Sequence, residues 1–180
     1  MKLRDLVVSS AVCGVLFAGV SHALRQGEEM GMPQPKPGKE HAALKPMVGE
    51  WDAKVNMMGS TSEGTMVNGM EMGGLWLVSR YEGEMMGDAF TGLGLMTYDS
   101  AAKQYVGLWV DSMTSSLEPS AGSYDAAKKE LTLVQKSTNP MSGEEVEMVQ
   151  VTKMTDDDHH SFQLSMGDME MMSIDYTRKE

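Results

Sequence analysis

Cysteine is nearly missing from this chain: among 180 residues there is only Cys13. It lies inside an N-terminal apolar stretch, behind Val12 and ahead of more apolar residues. A lipid-attachment cysteine would instead end such a stretch, after a small residue. The rest of the chain has no thiol, which excludes disulfides and thiolate metal sites there. Clustered cations are also missing. Lys and Arg number 15 against 26 Asp and Glu, giving a net charge of -11. Phosphate backbones require grouped positive charge, so nucleic acid is excluded as a partner. An anionic membrane surface is disfavoured for the same reason. No Gly-x-Ser-x-Gly elbow or His-Glu-x-x-His helix occurs, and the Gly-rich loops are not followed by helices as nucleotide sites require. Carboxylate pairs such as Glu82/Glu84 and the run Glu144, Glu145, Glu147 read as solvated faces.

The N-terminus carries an address. Lys2 and Arg4 precede the uncharged apolar run Leu6 to Val20, and Ser21-His22-Ala23 follows. This three-part pattern predicts a secretory signal peptide over residues 1–23, cleaved after Ala23. The run is roughly 15 residues, short of the ~20 that span a bilayer, so no stable membrane insertion is expected after cleavage. The protein is expected in the periplasm or outside the cell. Residues 24–40 contain Gly27, Gly31, Pro33, Pro35, Pro37 and Gly38, a composition that predicts an extended, flexible linker. Residues 40–45 predict one or two helical turns before Pro46, and the domain occupies 41–180.

Within the domain, period-two alternation recurs with turn signals every 8–12 residues, the pattern of an all-β sandwich or barrel. About ten strands are predicted: 49–58, 62–71, 74–84, 90–99, 103–112, 115–124, 130–138, 145–154, 160–167 and 169–178. No long amphipathic helix interrupts them. Tight turns between consecutive strands give an up-and-down antiparallel meander, and closing it removes the exposed edges. A weak repeat supports this. Tyr98-Asp99-Ser100-Ala101-Ala102-Lys103 resembles Tyr124-Asp125-Ala126-Ala127-Lys128-Lys129, as if one hairpin loop were used twice. Asp156-Asp157-Asp158-His159 predicts a third. Glycines inside strands, such as Gly92 and Gly107, mark bends or bulges.

Several segments together resemble the bacterial family known as domain of unknown function 1579. They are Met47-Val48-Gly49-Glu50-Trp51, Tyr81-Glu82-Gly83-Glu84-Met85-Met86-Gly87, Gly92-Leu93-Gly94 and Tyr105-Val106-Gly107-Leu108-Trp109-Val110-Asp111. The ending Tyr176-Thr177-Arg178-Lys179 also matches, and the resemblance spans about residues 44–179. It implies a calycin-like closed barrel and brings no catalytic residues, activity or cofactor. In lipocalin-like barrels a first-strand Trp packs under a last-strand Arg. Trp51 and Arg178 are the corresponding pair, expected to close one end.

Methionine is abundant, with 20 residues, many in pairs such as Met57/Met58 and Met85/Met86. As a flexible, polarisable apolar group it suits an adaptable cavity lining or ordinary core packing. Its thioether also suits Cu(I), with Met169, Met171 and His160 as metal candidates. Adjacent strand residues point to opposite faces, so His159 and His160 cannot both serve one site. Tyr105, Trp109 and Asp111 share a strand face, as do Trp76, Val78, Arg80 and Glu82. Alternation alone leaves open which faces look inward. Tyr105, Trp109, Asp111, Arg80, Met66, Met70 and Met172 are the candidate lumen residues. The expected function is binding of a small, mainly apolar molecule in the lumen, without catalysis. The alternatives are a Met-rich copper protein, and a hydrolase or isomerase at the barrel mouth using His41, His160 or Asp111.

Overall fold

A computed structural model describes residues 34–139 and 142–180. The predicted signal peptide and most of the predicted linker lie outside the described residues. The compact unit runs from Lys36 to Glu180, so the end of the Pro/Gly segment belongs to the domain. Gly38 explains this locally. Its N–H donates to His41 Nδ1 at 3.1 Å, and the short helix α1 (Lys39–Ala42) starts there. A single 3-10 turn, Lys45–Met47, with Pro46 in its first positions, leads into the sheet.

Ten strands follow: β1 (Gly49–Met57), β2 (Ser60–Glu71), β3 (Trp76–Met85), β4 (Asp88–Asp99) and β5 (Gln104–Asp111). The second half is β6 (Ser120–Asp125), β7 (Glu130–Thr138), β8 (Glu145–Met154), β9 (His159–Met166) and β10 (Met169–Arg178). Each pairs antiparallel with its chain neighbours, and β1 pairs with β10 from Trp51↔Arg178 to Met57↔Met172. The sheet is therefore a closed, ten-stranded up-and-down barrel with a short N-terminal helix.

Alternation sets the faces. In β1, Trp51, Ala53 and Val55 are buried while Asp52, Lys54 and Asn56 are exposed, as the two-residue period of a pleated strand requires. Two clusters result. Trp51, Ala53, Val55, Met66, Tyr81 and Phe90 pack with Ile174 and Tyr176. Leu44 and Met47 reach into the other, among Leu77, Tyr105, Leu131, Leu133 and Met154. Leu44 is fully buried, so the segment after α1 plugs the barrel where β1, β3, β5, β7 and β9 begin.

The two ends differ in turn chemistry. At the plugged end, Asp99 Oδ1 accepts from the N–H groups of Ala101 and Ala102 at 2.8 and 3.0 Å. Asp125 Oδ1 does the same for Ala127 and Lys128 at 2.9 and 3.1 Å. Lys103 and Lys129 then both take positive φ, 55° and 54°, so the repeated loop is one structure used twice. Asp156 caps the β8–β9 turn through the Asp158 N–H at 2.9 Å. At the opposite end the turns carry methionine: Met58 after β1, Met86 after β3, Met113 after β5 and Met169 at the start of β10. All four are exposed. Met72, between β2 and β3, is the exposed methionine of the plugged end.

The predicted strand 115–124 is the largest departure. β6 is only Ser120–Asp125, and it pairs with β5 over three residues, Tyr105 to Gly107. Pro119 lies just before it and has no N–H to give a ladder. Residues 112–119 instead cross the mouth as a non-strand link.

Candidate functional site

The barrel encloses a cavity of about 760 Å³. Its floor is Met47, Leu77, Leu131 and Leu133, next to the plug, and its upper wall includes Met57, Met85, Met86 and Met113. The cavity therefore opens at the methionine-bearing end. Trp109, Phe90, Phe162 and Tyr176 add aromatic wall. Trp109 lies over Gly92 and Gly94 of the neighbouring strand, and a methyl group at Gly92 would overlap its ring. The glycines predicted as bends thus make room for the indole.

One polar group sits at the mouth. Asp111 Oδ2 accepts from Trp109 Nε1 at 3.1 Å, while Oδ1 accepts from the N–H groups of Met113 and Thr114 at 2.9 and 2.8 Å. A second group runs across the wall. Gln150 Nε2 donates to Gln135 Oε1 at 2.7 Å, and Gln135 Nε2 donates to Glu118 Oε2. Glu118, Gln135, Gln150 and Asp111 all line the cavity.

A third polar set is buried deeper. Asn68 Oδ1, the Tyr81 hydroxyl and His160 Nδ1 are buried without a hydrogen-bond partner among the described residues, and all three side chains line the cavity. Asn68 uses its amide nitrogen on the Met47 carbonyl at 2.9 Å, which Trp51 Nε1 also reaches at 2.9 Å. His160 stacks on Tyr176 with centroids 4.3 Å apart, and stands edge-on to Trp51, also at 4.3 Å. Burial, then the Arg178 charge, pull its pKa down to about 4. Burial pushes the Tyr81 and Tyr176 hydroxyls above their usual range. At neutral pH these groups carry no charge.

The family described as "Protein of unknown function (DUF1579)" matches residues 36–178. The chain belongs to this family. No curated protein matches it. Among solved structures, a redesigned beta barrel is similar at 15% identity and a TM-score of 0.42, covering 81% of this chain and 100% of its own.

In this DUF1579 barrel the candidate residues separate into three groups. Met66, Trp109, Asp111 and Met172 line the cavity. Tyr105 and Met70 do not: they pack in the plugged cluster. The Tyr105 hydroxyl donates to the Glu40 carbonyl at 3.0 Å. Its pKa is pushed up to about 12 by burial, with Glu40, Tyr98 and Tyr124 adding to the effect. The plug occupies the space that the expected lumen face would have left open. Arg80 points outward and pairs with Glu71 at 2.7 Å. The inner face of β3 belongs to Leu77, Ser79 and Tyr81, so the face carrying Arg80 is the outer one.

Arg178 lies over Trp51, its guanidinium carbon 4.0 Å from the ring centroid. It donates to the Val48, Pro46 and Asp157 carbonyls at 2.9, 3.3 and 2.9 Å. Of the metal candidates, Met169 is exposed at the β9–β10 turn and Met171 lines the cavity. The register pairs Met172 with Leu164 and Tyr176 with His160, so His160 lies toward the other end of the barrel. Among the described residues no group of three or more His, Cys, Asp or Glu could hold a metal ion.

His41 is part of the plug, where its Nδ1 accepts from Gly38. It sits at the end opposite Asp111, so His41, His160 and Asp111 do not assemble. Sequence reasoning missed Asn68, Tyr81, Glu118, Gln135 and Gln150. Asn68 shares the parity of Met66 and could have been found that way. Glu118 had no periodic signal, being in the link.

Proposed function

We propose that this protein is an exported barrel that binds a small, mainly apolar molecule in its lumen, without catalysing a reaction. The observation that carries the reading is the cavity itself: about 760 Å³, walled largely by apolar side chains, methionines and aromatics prominent among them, and open at one end. That volume falls in the ~300–1,000 Å³ range of small-molecule sites, which pair apolar walls with a few placed polar groups. Flexible thioethers adapt to ligands of varied shape. The N-terminal pattern supports export. The separation of His41, His160 and Asp111 speaks against acid–base catalysis at the mouth, since such catalysis needs hydrogen-bond reach.

The test is titration with N-phenyl-1-naphthylamine, an uncharged probe that brightens in apolar surroundings, and a native mass spectrum of protein taken from a bacterial periplasm. Saturable brightening at micromolar probe is the expected result. Absence of brightening up to ~100 μM, far weaker than the micromolar binding a buried apolar probe should reach, would overturn the reading.

A second reading, a Cu(I) site, is favoured by the rim. Met58 and Met86 hold hairpin positions with φ of 52° and 56°, where Asn or Gly is the usual choice. Together with Met113 and Met169, these turns expose four thioethers at the end where the cavity opens. Soft thioethers around one mouth suit Cu(I). Anaerobic titration against a competing chelator decides: affinity no tighter than micromolar ends this reading.

A further inference from the structure

The cavity contains carboxylates and no cation. Asp111 and Glu118 line it, whereas no Lys or Arg does. Neither carboxylate takes part in an ion pair among the described residues. The nearby cations are engaged elsewhere: Arg80 with Glu71 outside the barrel, and Lys136 with Glu145. His160, the one remaining basic side chain on the wall, is buried between two aromatic rings.

Each carboxylate is held by neutral donors. Asp111 takes Trp109 Nε1 and two backbone N–H groups, and Glu118 takes Gln135 Nε2. These contacts orient the negative charges without neutralising them. Deeper in, the buried Asn68 Oδ1 is an acceptor without a donor. Tyr81 O–H and His160 Nδ1, also unpartnered, can each donate or accept. The deep polar groups are thus neutral, and the only formal charge offered along the wall is the negative charge of Asp111 and Glu118.

We propose that the lumen selects cationic amphiphiles, an apolar body carrying an ammonium group, with the ammonium seated at the mouth carboxylates Asp111 and Glu118. This deepens the luminal-binding reading and rests on it. The physical reason is the low dielectric of a methionine- and aromatic-walled space. Two carboxylates there attract a cation more strongly than the same groups in open water, and repel an anion equally. The Trp109 indole, fixed against Gly92 and Gly94 and bonded to Asp111, adds an aromatic face of the kind that attracts ammonium groups. The methionine and aromatic wall takes the apolar body. A fatty-acid carboxylate meets the opposite situation, with like charge at the mouth and no charged donor along the wall.

The experiment displaces N-phenyl-1-naphthylamine with three probes of equal chain length: dodecylamine, dodecanol and dodecanoate, each below its micelle threshold at pH 7. The amine should compete about 10-fold more tightly than the alcohol and more tightly still than the carboxylate, the effect of ~1.4 kcal/mol from the two charges. In an Asp111→Asn, Glu118→Gln double variant, the ratio of amine to alcohol affinity should fall from about 10 to about 1. Glu118→Gln keeps an acceptor oxygen for Gln135 Nε2. Asp111→Asn keeps one for the Met113 and Thr114 N–H groups and gives up the bond from Trp109 Nε1. Glu118→Gln alone is therefore the cleaner variant and should give part of the loss.

Equal competition by dodecanoate overturns the proposal and leaves the luminal reading standing. So does an amine advantage that persists in the double variant, since it would then come from the acidic outer surface. If the fluorescent probe binds but none of the three displaces it, the proposal falls alone. If the fluorescent probe itself fails to bind, the luminal reading falls and takes the proposal with it.

Discussion

His160 is where a single side chain shows most about this barrel. Its imidazole is buried between Trp51 and Tyr176, and burial and Arg178 lower its pKa from 6.5 to about 4. Between those values the unfolded imidazole binds a proton and the folded one does not. Stability therefore falls as pH drops from 6.5 toward 4, and the histidine exerts no such penalty above 6.5. At pH 4.5 the loss is on the order of 2–3 kcal/mol from this group alone, at ~1.4 kcal/mol per pKa unit. A His160→Phe variant keeps the ring stacking and removes the titration. Unfolding free energies from urea titrations at pH 7.5 and 4.5 should differ by about 2 kcal/mol less in the variant than in the parent. An unchanged gap would mean that the imidazole is protonated without cost. Part of this was legible beforehand. Adjacent strand residues must face opposite ways, and His159 is indeed exposed, bonded to Asp156 at 2.9 Å, while His160 points in. The aromatic stack was not legible, because Trp51, His160 and Tyr176 come from three strands and only the β1–β10–β9 register brings them together.

At the scale of elements, the sequence was most readable where backbone chemistry is local. Asp99 and Asp125 announced their turns through a side-chain oxygen that bonds the N–H groups two and three residues on. β1, with strict alternation, was placed to within a residue, and so was β10, although its register shifts between Glu170 and Met172. The reading failed at 115–119, where Ser115 and Ser116 imitate a strand start but the ladder begins only after Pro119. It also left the faces of β3 open. Trp76, Val78 and Arg80 are as plausible inside as Leu77, Ser79 and Tyr81, until Gly64 and Gly83 are seen to leave space for the Tyr81 ring. Half of that information lies on the neighbouring strand β2, at Gly64, and becomes readable only through the register Gly64↔Gly83. The mouth is a product of the same division. Three turns of one end are capped by Asp99, Asp125 and Asp156, while Met58, Met86, Met113 and Met169 stand exposed at the other, so the barrel has a structural end and an end with polarisable side chains around the cavity.

For the whole molecule, closure decides whether there is a cavity at all, and Arg178 concentrates the closure in one side chain. Its three nitrogens bond the carbonyls of Val48, Pro46 and Asp157, and Asp158 lies 3.4 Å from Nε. The residue thus joins the last strand, the β8–β9 turn, and the segment that links the plug to the first strand. Gly49 is shaped to admit it. Its φ is 141°, and any side chain there would collide with the guanidinium. Lysine preserves the charge but offers a single ammonium in place of the planar fork, so it cannot reach three carbonyls at once. Arg178→Lys should therefore lower unfolding free energy by about 2–3 kcal/mol, the scale of charge-assisted bonds lost at a partly buried site. Urea denaturation measures it. Binding of the fluorescent probe under native conditions should stay within a factor of about two, well under 1 kcal/mol, because the cavity opens at the opposite end. A stability change below ~0.5 kcal/mol, typical of an ordinary surface substitution, would show that the β1–β10 ladder closes the barrel without the arginine. A large fall in probe affinity with unchanged stability would show instead that Arg178 shapes the lumen.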